Sequence, residues 1–192
     1  MLKKFKLLIL TATLSSVTLS TSVFANEINY NDNIVSTKSV EVSELPNGVI
    51  PMHFNSEEQA NLYFDKVVEN LENAKSEELT SDISFYDYRG YRYVQKRVWP
   101  VTVTMEVPYL AKWNSKWGNY YASASKPETG ITGTTLGFEW RPISASTYSN
   151  IGSNPTTLTA HGAGYLDLYF IVEGGIKVRT DRISISGSWG QP

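Results

Sequence analysis

Every odd position from Trp99 to Tyr109 is apolar (Trp99, Val101, Val103, Met105, Val107, Tyr109), while the even positions include Thr102, Thr104 and Glu106. Side chains of an extended strand alternate between two faces, so this run forms a strand with one face buried and the other wet. Such a strand needs a covering layer. Strand patterning recurs over 83–88, 91–97, 117–125, 131–141, 156–161, 164–172 and 176–185. The connections carry turn chemistry, as in Lys126-Pro127-Glu128-Thr129-Gly130 and Glu173-Gly174-Gly175. There is no βαβ alternation and no internal repeat, which argues against a nucleotide-binding fold. The expected fold is mainly β, an antiparallel β-sandwich or open barrel of about seven or eight strands.

One segment departs from the period of two. Ser56 and Gln59 have capping-box spacing, Glu57 and Glu58 suit the positive end of a helix dipole, and Ala60, Tyr63, Phe64, Val67, Val68, Leu71 and Ala74 recur at helical spacing. The pattern predicts one amphipathic helix over about 56–75, docked on the sheet by its apolar face. Its polar face is acidic and would be repelled by anionic lipid, so a membrane-surface helix is the weaker reading.

The first residues read as an export signal: Lys3, Lys4 and Lys6, an apolar run from Leu7, then Val23-Phe24-Ala25 with cleavage expected after Ala25. The expected organisation is a signal peptide at 1–25, a flexible acidic leader at 26–44, a turn plus the amphipathic helix at 45–79, and an aromatic-rich antiparallel β domain at 80–192. No other stretch approaches the ~20 apolar residues of a membrane-spanning helix. The chain has no cysteine, so neither disulfides nor thiol chemistry is open to it. With the Lys-rich leader, this fits a Gram-positive bacterium. Between 26 and 79 there are 3 Lys/Arg against 11 Asp/Glu, and between 80 and 192 there are 11 against 8. The two parts attract each other.

The last hairpin allows a register argument. A three-residue loop, Glu173 to Gly175, pairs Val172 with Ile176, Phe170 with Val178 and Leu168 with Thr180, keeping charges off the apolar face. Beyond Thr180 the apolar positions move from even to odd, at Ile183 and Ile185. One extra residue near Asp181 would cause that shift, so a β-bulge is expected there.

Little in the sequence carries catalysis. Of the two histidines, His53 lies in the lead-in to the helix, and His161 is the better candidate base because Gly162 and Gly164 would let a ligand approach. Glycines near a strand end are also ordinary structural residues, so a structural role for His161 is the first expectation. A polysaccharide hydrolase needs two carboxylates, for which Glu139 and Asp167 are candidates. Glu139 and Arg141 share a strand face, and a surface ion pair between them is the simpler account. No phosphate loop, zinc-helix motif, calcium loop or nucleophile elbow is present, and no cofactor or metal is expected.

The unusual feature is aromatic content: 18 Phe, Tyr and Trp among the 113 residues from 80 to 192. Basic residues interleave with them in Tyr86-Asp87-Tyr88-Arg89-Gly90-Tyr91-Arg92-Tyr93 and Lys112-Trp113-Asn114-Ser115-Lys116-Trp117. Such side chains stack on sugars and pair with anionic polymers, which makes Tyr88, Arg89, Tyr91, Arg92, Trp113 and Trp117 the candidate binding set. Nucleic acid is not an expected partner, because the phosphate backbone demands a stronger positive field. The leading expectation is a secreted, non-catalytic interaction module, extracellular or retained at the cell wall, that binds wall glycan, an anionic wall polymer or a protein. A bacteriocin or toxin-like protein with an acidic pro-segment is the alternative. The aromatic character is similar to that of small cysteine-free β-sandwich bacteriocins of the lactococcin type, with no aligned motif shared. A wall-polysaccharide hydrolase ranks third.

Overall fold

In the computed structural model, which describes residues 36–79 and 88–192, the alternating run is the centre of one of two antiparallel sheets. The elements are β1 (Ser36–Val40), β2 (Met52–His53), α1 (Glu57–Asn73), β3 (Glu77–Leu79), β4 (Tyr88–Val98), β5 (Val101–Asn114), β6 (Gly118–Ala124), β7 (Glu128–Gly133), β8 (Phe138–Pro142), β9 (Tyr148–Ile151), β10 (Leu158–Val172) and β11 (Gly175–Trp189). The first sheet runs β1-β11-β10, with β2, β8 and β9 sharing the far edge of β10; the second runs β3-β4-β5, with β6 and β7 sharing the far edge of β5. The signal peptide expected at 1–25, the leader as far as residue 35, and the expected strand 83–88 as far as residue 87 lie outside the described residues.

The sandwich forms because β5 and β10 each present an unbroken apolar row. Val101, Val103, Met105, Val107, Tyr109 and Ala111 from β5 share one core with Leu158, Leu166, Leu168 and Phe170 from β10 and Ile183 and Ile185 from β11. Trp99 does not continue the row. Trp99 and Pro100, joined by a cis peptide bond, form the two-residue turn between Val98 and Val101, and Trp99 is 80% exposed.

Helix α1 starts where its cap predicts: the Ser56 hydroxyl accepts from the Gln59 N–H at 3.1 Å, while the Gln59 side chain accepts from Asn55 N–H at 3.1 Å. Ala60, Phe64, Val67, Val68 and Leu71 are buried in the same core as the sheets. The ring of Phe64 lies 6.5 Å from that of Phe138. The helix is thus a wall of the core, in register with the expected docking.

Four expectations are corrected. The leader does not stay flexible throughout: Ser36–Val40 pair antiparallel with β11, from Ser36 opposite Thr180 to Val40 opposite Ile176. A sheet edge asks only for backbone hydrogen bonds on one side, and the leader's polar side chains can face water there. The segment 131–141 is not one strand, since β7 belongs to the second sheet and β8 to the first. Conversely 156–161 and 164–172 are one strand of 15 residues.

The fourth concerns the last hairpin. Its loop is Glu173-Gly174, pairing Val172 with Gly175, Phe170 with Lys177, Leu168 with Arg179 and Leu166 with Asp181, with no bulge at Asp181. Lys177, Arg179 and Asp181 therefore lie on the inner face, in line with Ile183 and Ile185. Lys177 and Arg179 are tolerated there because α1 covers that half of the strand and supplies their partners, while Asp181 is half-buried and accepts from the Arg182 N–H at 2.7 Å. Lys177 pairs with Glu57 and Arg179 with Asp65; Arg179 also donates to the Asn61 carbonyl at 3.0 Å and sits 5.4 Å over the Phe64 ring. The apolar row changes chemistry, not phase. The attraction between the acidic and basic parts of the chain is realised in these two ion pairs.

Candidate functional site

Strand β4 sorts the candidate binding residues by parity. Its even residues face the core: Val94 is buried against β5, and the ring of Tyr109 fills the space a Cβ at Gly90 would take. Arg92 is on this side, only 4% exposed. Its Nε donates to the Tyr121 hydroxyl at 2.9 Å and its Nη2 to the Gln191 carbonyl at 3.1 Å, and the guanidinium lies over the Tyr109 and Tyr121 rings. Tyr88 packs edge-on against Tyr109 with ring centroids 5.9 Å apart. Tyr88 and Arg92 are therefore parts of the interior, where Arg92 ties β4 to the C-terminal residues.

The odd residues of β4 face outward. Arg89 and Tyr91 are exposed, as is Tyr93, whose ring is 6.2 Å from that of Tyr91. Across the ladder lie Leu110, Pro108 and Glu106; partial burial and then the Glu106 carboxylate raise the Tyr93 phenol above its ordinary range. Lys112, two residues beyond Leu110, is exposed on the same face opposite Tyr120. Residues two apart on a strand are roughly 7 Å apart, so Arg89, Tyr91, Tyr93, Lys112 and Tyr120 make one continuous strip.

The β5–β6 hairpin ends this strip. The Asn114 side-chain oxygen accepts from the N–H groups of Lys116 and Trp117 at 3.0 and 2.8 Å, and Gly118 takes φ +69°, a conformation that favours glycine. The Gln191 side chain donates to the carbonyls of Trp117 and Asn119 at 3.2 and 3.0 Å, fixing the turn to the body. Trp113 is 58% exposed, Trp117 is half-buried, and Lys116 Nζ lies 4.4 Å from the Trp117 ring centroid. Of the six candidates, Arg89 and Tyr91 lie on the outer face of the second sheet, while Trp113 and Trp117 lie at the hairpin that ends it, Trp113 on the side of Tyr109 and Ala111 by the alternation of β5. Tyr93, Lys112, Lys116 and Tyr120 join them; they stood in or beside the same sequence mixture without being singled out.

The catalytic candidates do not converge. His161 Nδ1 is 2.9 Å from Ser186 Oγ and its ring is 5.5 Å from that of Tyr148; no carboxylate bonds it among the described residues. Asp167 lies six residues along the same strand, about 20 Å away. Gly162 and Gly164 do not open a path to His161, since they face the opposite side, where Trp140 occupies the space above Gly164 and donates from Nε1 to Thr129 Oγ1 at 3.1 Å. Glu139 and Asp167 are direct cross-strand neighbours. Arg141 reaches across to Asp167 instead of pairing with Glu139, with Nε–Oδ2 at 2.5 Å and Nη2–Oδ1 at 3.0 Å, and the Thr180 hydroxyl donates to the same Oδ1. Glu139 accepts from the Tyr169 hydroxyl at 3.1 Å. Both Asp167 oxygens are thus committed to fixed donors, an arrangement that braces three strands. Among the described residues no group of three or more His, Asp or Glu could hold a metal ion, and no helix is long and apolar enough to cross a membrane.

The buried phenols set an alkaline limit on stability. Burial raises the Tyr121 phenol against the lowering effect of Arg92, and burial, then the Glu139 and Asp167 charges, raise Tyr169. A group whose folded pKa is raised keeps its full contribution below its unfolded pKa, here near 10, and loses it as pH climbs towards the folded value. Stability is expected to be flat up to about pH 10 and then to fall by about 1.4 kcal/mol per pH unit for each such phenol. Denaturant melts from pH 8 upward, on this protein and on Tyr121→Phe, would show the variant with the shallower slope. Equal slopes would refute the assignment to Tyr121.

No protein-family model, curated protein or solved structure matches this chain.

Proposed function

We propose that this protein is a secreted, non-catalytic interaction module that binds an anionic, sugar-bearing polymer of the bacterial cell wall through the strip ending at the β5–β6 hairpin. The observation that supports this reading is the run of exposed stacking surfaces and cations along one sheet, with Tyr91, Tyr93, Arg89 and Lys112 on its outer face and Trp113 and Lys116 at the hairpin that ends it. Sugar rings stack on aromatic faces, and guanidinium and ammonium groups pair with phosphate or carboxylate. The hairpin is held by backbone and Gln191 hydrogen bonds, so the site is built before the ligand arrives, which lowers the cost of binding.

Co-sedimentation with purified cell walls tests the reading. The triple variant Arg89→Ala, Lys112→Ala, Trp113→Ala changes only exposed side chains and is expected to keep its melting temperature within a few degrees. Its wall affinity is expected to fall at least about tenfold, the effect of losing roughly 1.4 kcal/mol of contact. Wild-type binding should weaken as salt screens the cations. Wall binding that is absent in the wild type, or unchanged in the folded variant, overturns the proposal.

A further inference from the structure

At the other end of β5, 14 residues from Trp113 and on the order of 45 Å away, three connections meet. Thr134 N–H donates to the Pro100 carbonyl at 3.1 Å, which sets the β7–β8 loop against the β4–β5 turn. Gly137 takes φ +75°, and a Cβ there would lie 3.3 Å from Met52 N, so the same loop also packs on the start of β2, two residues from Ile50. Each connection leaves a large apolar side chain in the open: Trp99, Leu136 and Ile50, with Trp99 more exposed than any other large apolar residue described. The segments 49–52, 96–102 and 132–137 contain Lys96 and Arg97 and no acidic residue.

We propose that this tip docks into the interfacial layer of an anionic phospholipid bilayer, independently of the polymer-binding strip. Three features favour a bilayer over a protein partner. The apolar groups sit on three separate connections, which suits a soft, flat medium better than a shaped one. Trp99 is the most exposed of them, and an indole favours the boundary between headgroups and acyl chains. Arg97, two residues or roughly 7 Å back along β4, and Lys96 beside it are placed at headgroup height when the indole is immersed, where basic residues are drawn to anionic lipid.

The test uses the full chain and two kinds of vesicle, phosphatidylcholine alone and phosphatidylcholine mixed with phosphatidylglycerol. Partition is expected to be about tenfold stronger or more onto the anionic vesicles, in keeping with two basic residues near the surface, and to be accompanied by a blue shift of tryptophan emission. Trp99→Ala should lower partition about tenfold and abolish the shift, whereas Trp113→Ala should leave both unchanged. Leu136→Ser and Ile50→Ser should each weaken partition, giving a readout independent of the indole. Absence of binding to anionic vesicles, or equal binding by wild type and Trp99→Ala, overturns the proposal. So does a Trp99-dependent dimer in sedimentation velocity without vesicle binding, which would assign the tip to a second copy of the chain.

Discussion

A chain trimmed to residues 80–192 is expected to be unfolded or aggregated, not to be a free-standing β domain. The trimming removes α1, whose Phe64, Val67, Val68 and Leu71 are buried between the sheets. At roughly 1.5–3 kcal/mol for each such side chain, the loss is about 6–12 kcal/mol, as large as the whole net stability of an ordinary domain, ~5–15 kcal/mol. It also uncovers Phe138 and Phe170, strips β1 from the edge of β11, and leaves Arg179 without Asp65 or the Asn61 carbonyl. Far-UV circular dichroism and urea melts of chains 26–192 and 80–192 would compare the two directly. Phe64→Ala in the longer chain isolates the helix contribution, expected at about 3–5 kcal/mol. A soluble 80–192 fragment with a cooperative melt would refute this account. It would also restore the idea that the acidic segment is a removable shield, because a shield must come away from a domain that stands without it.

The parts of the fold that were legible in the sequence are those whose determinants are local. The period-two row of β5 and the Ser56 cap with its apolar stripe carry their own instructions within a dozen residues. Edge strand β1 does not: four of its five residues are polar, and its pairing is decided by β11, more than a hundred positions later. The same distance hides the last hairpin's register. Lys177 and Arg179 look misplaced on an inner face until Glu57 and Asp65 on α1 are brought over them. At the candidate site, alternation alone groups Tyr88, Gly90, Arg92 and Val94 against Arg89, Tyr91 and Tyr93. Both groups are aromatic and basic, so composition does not say which is inside. Val94 and the absent side chain of Gly90, which makes room for Tyr109, decide it.

The pairing of Arg141 with Asp167 leads to the other large expected effect, and it is asymmetric. The Asp167 side chain is 1% exposed and that of Arg141 is 51% exposed. Arg141→Ala leaves a carboxylate out of water with the Thr180 hydroxyl as its remaining side-chain donor, and a buried charge stripped of its partner costs about 3 kcal/mol or more. Asp167→Ala leaves a guanidinium that already reaches solvent and still lies 5.2 Å from the Tyr165 ring centroid, so the smaller loss belongs to removal of the more buried group. The double variant should lie close to Asp167→Ala, because with the carboxylate gone nothing buried is left uncompensated. Urea melts of the four proteins close the cycle, and for a chain of this size 3 kcal/mol corresponds to a fall of about 6–12 °C in melting temperature. An Arg141→Ala variant less perturbed than Asp167→Ala would show that the carboxylate does not depend on its cation. The brace would then be an ordinary surface contact, and Asp167, freed from it, would return as a candidate acid beside Glu139.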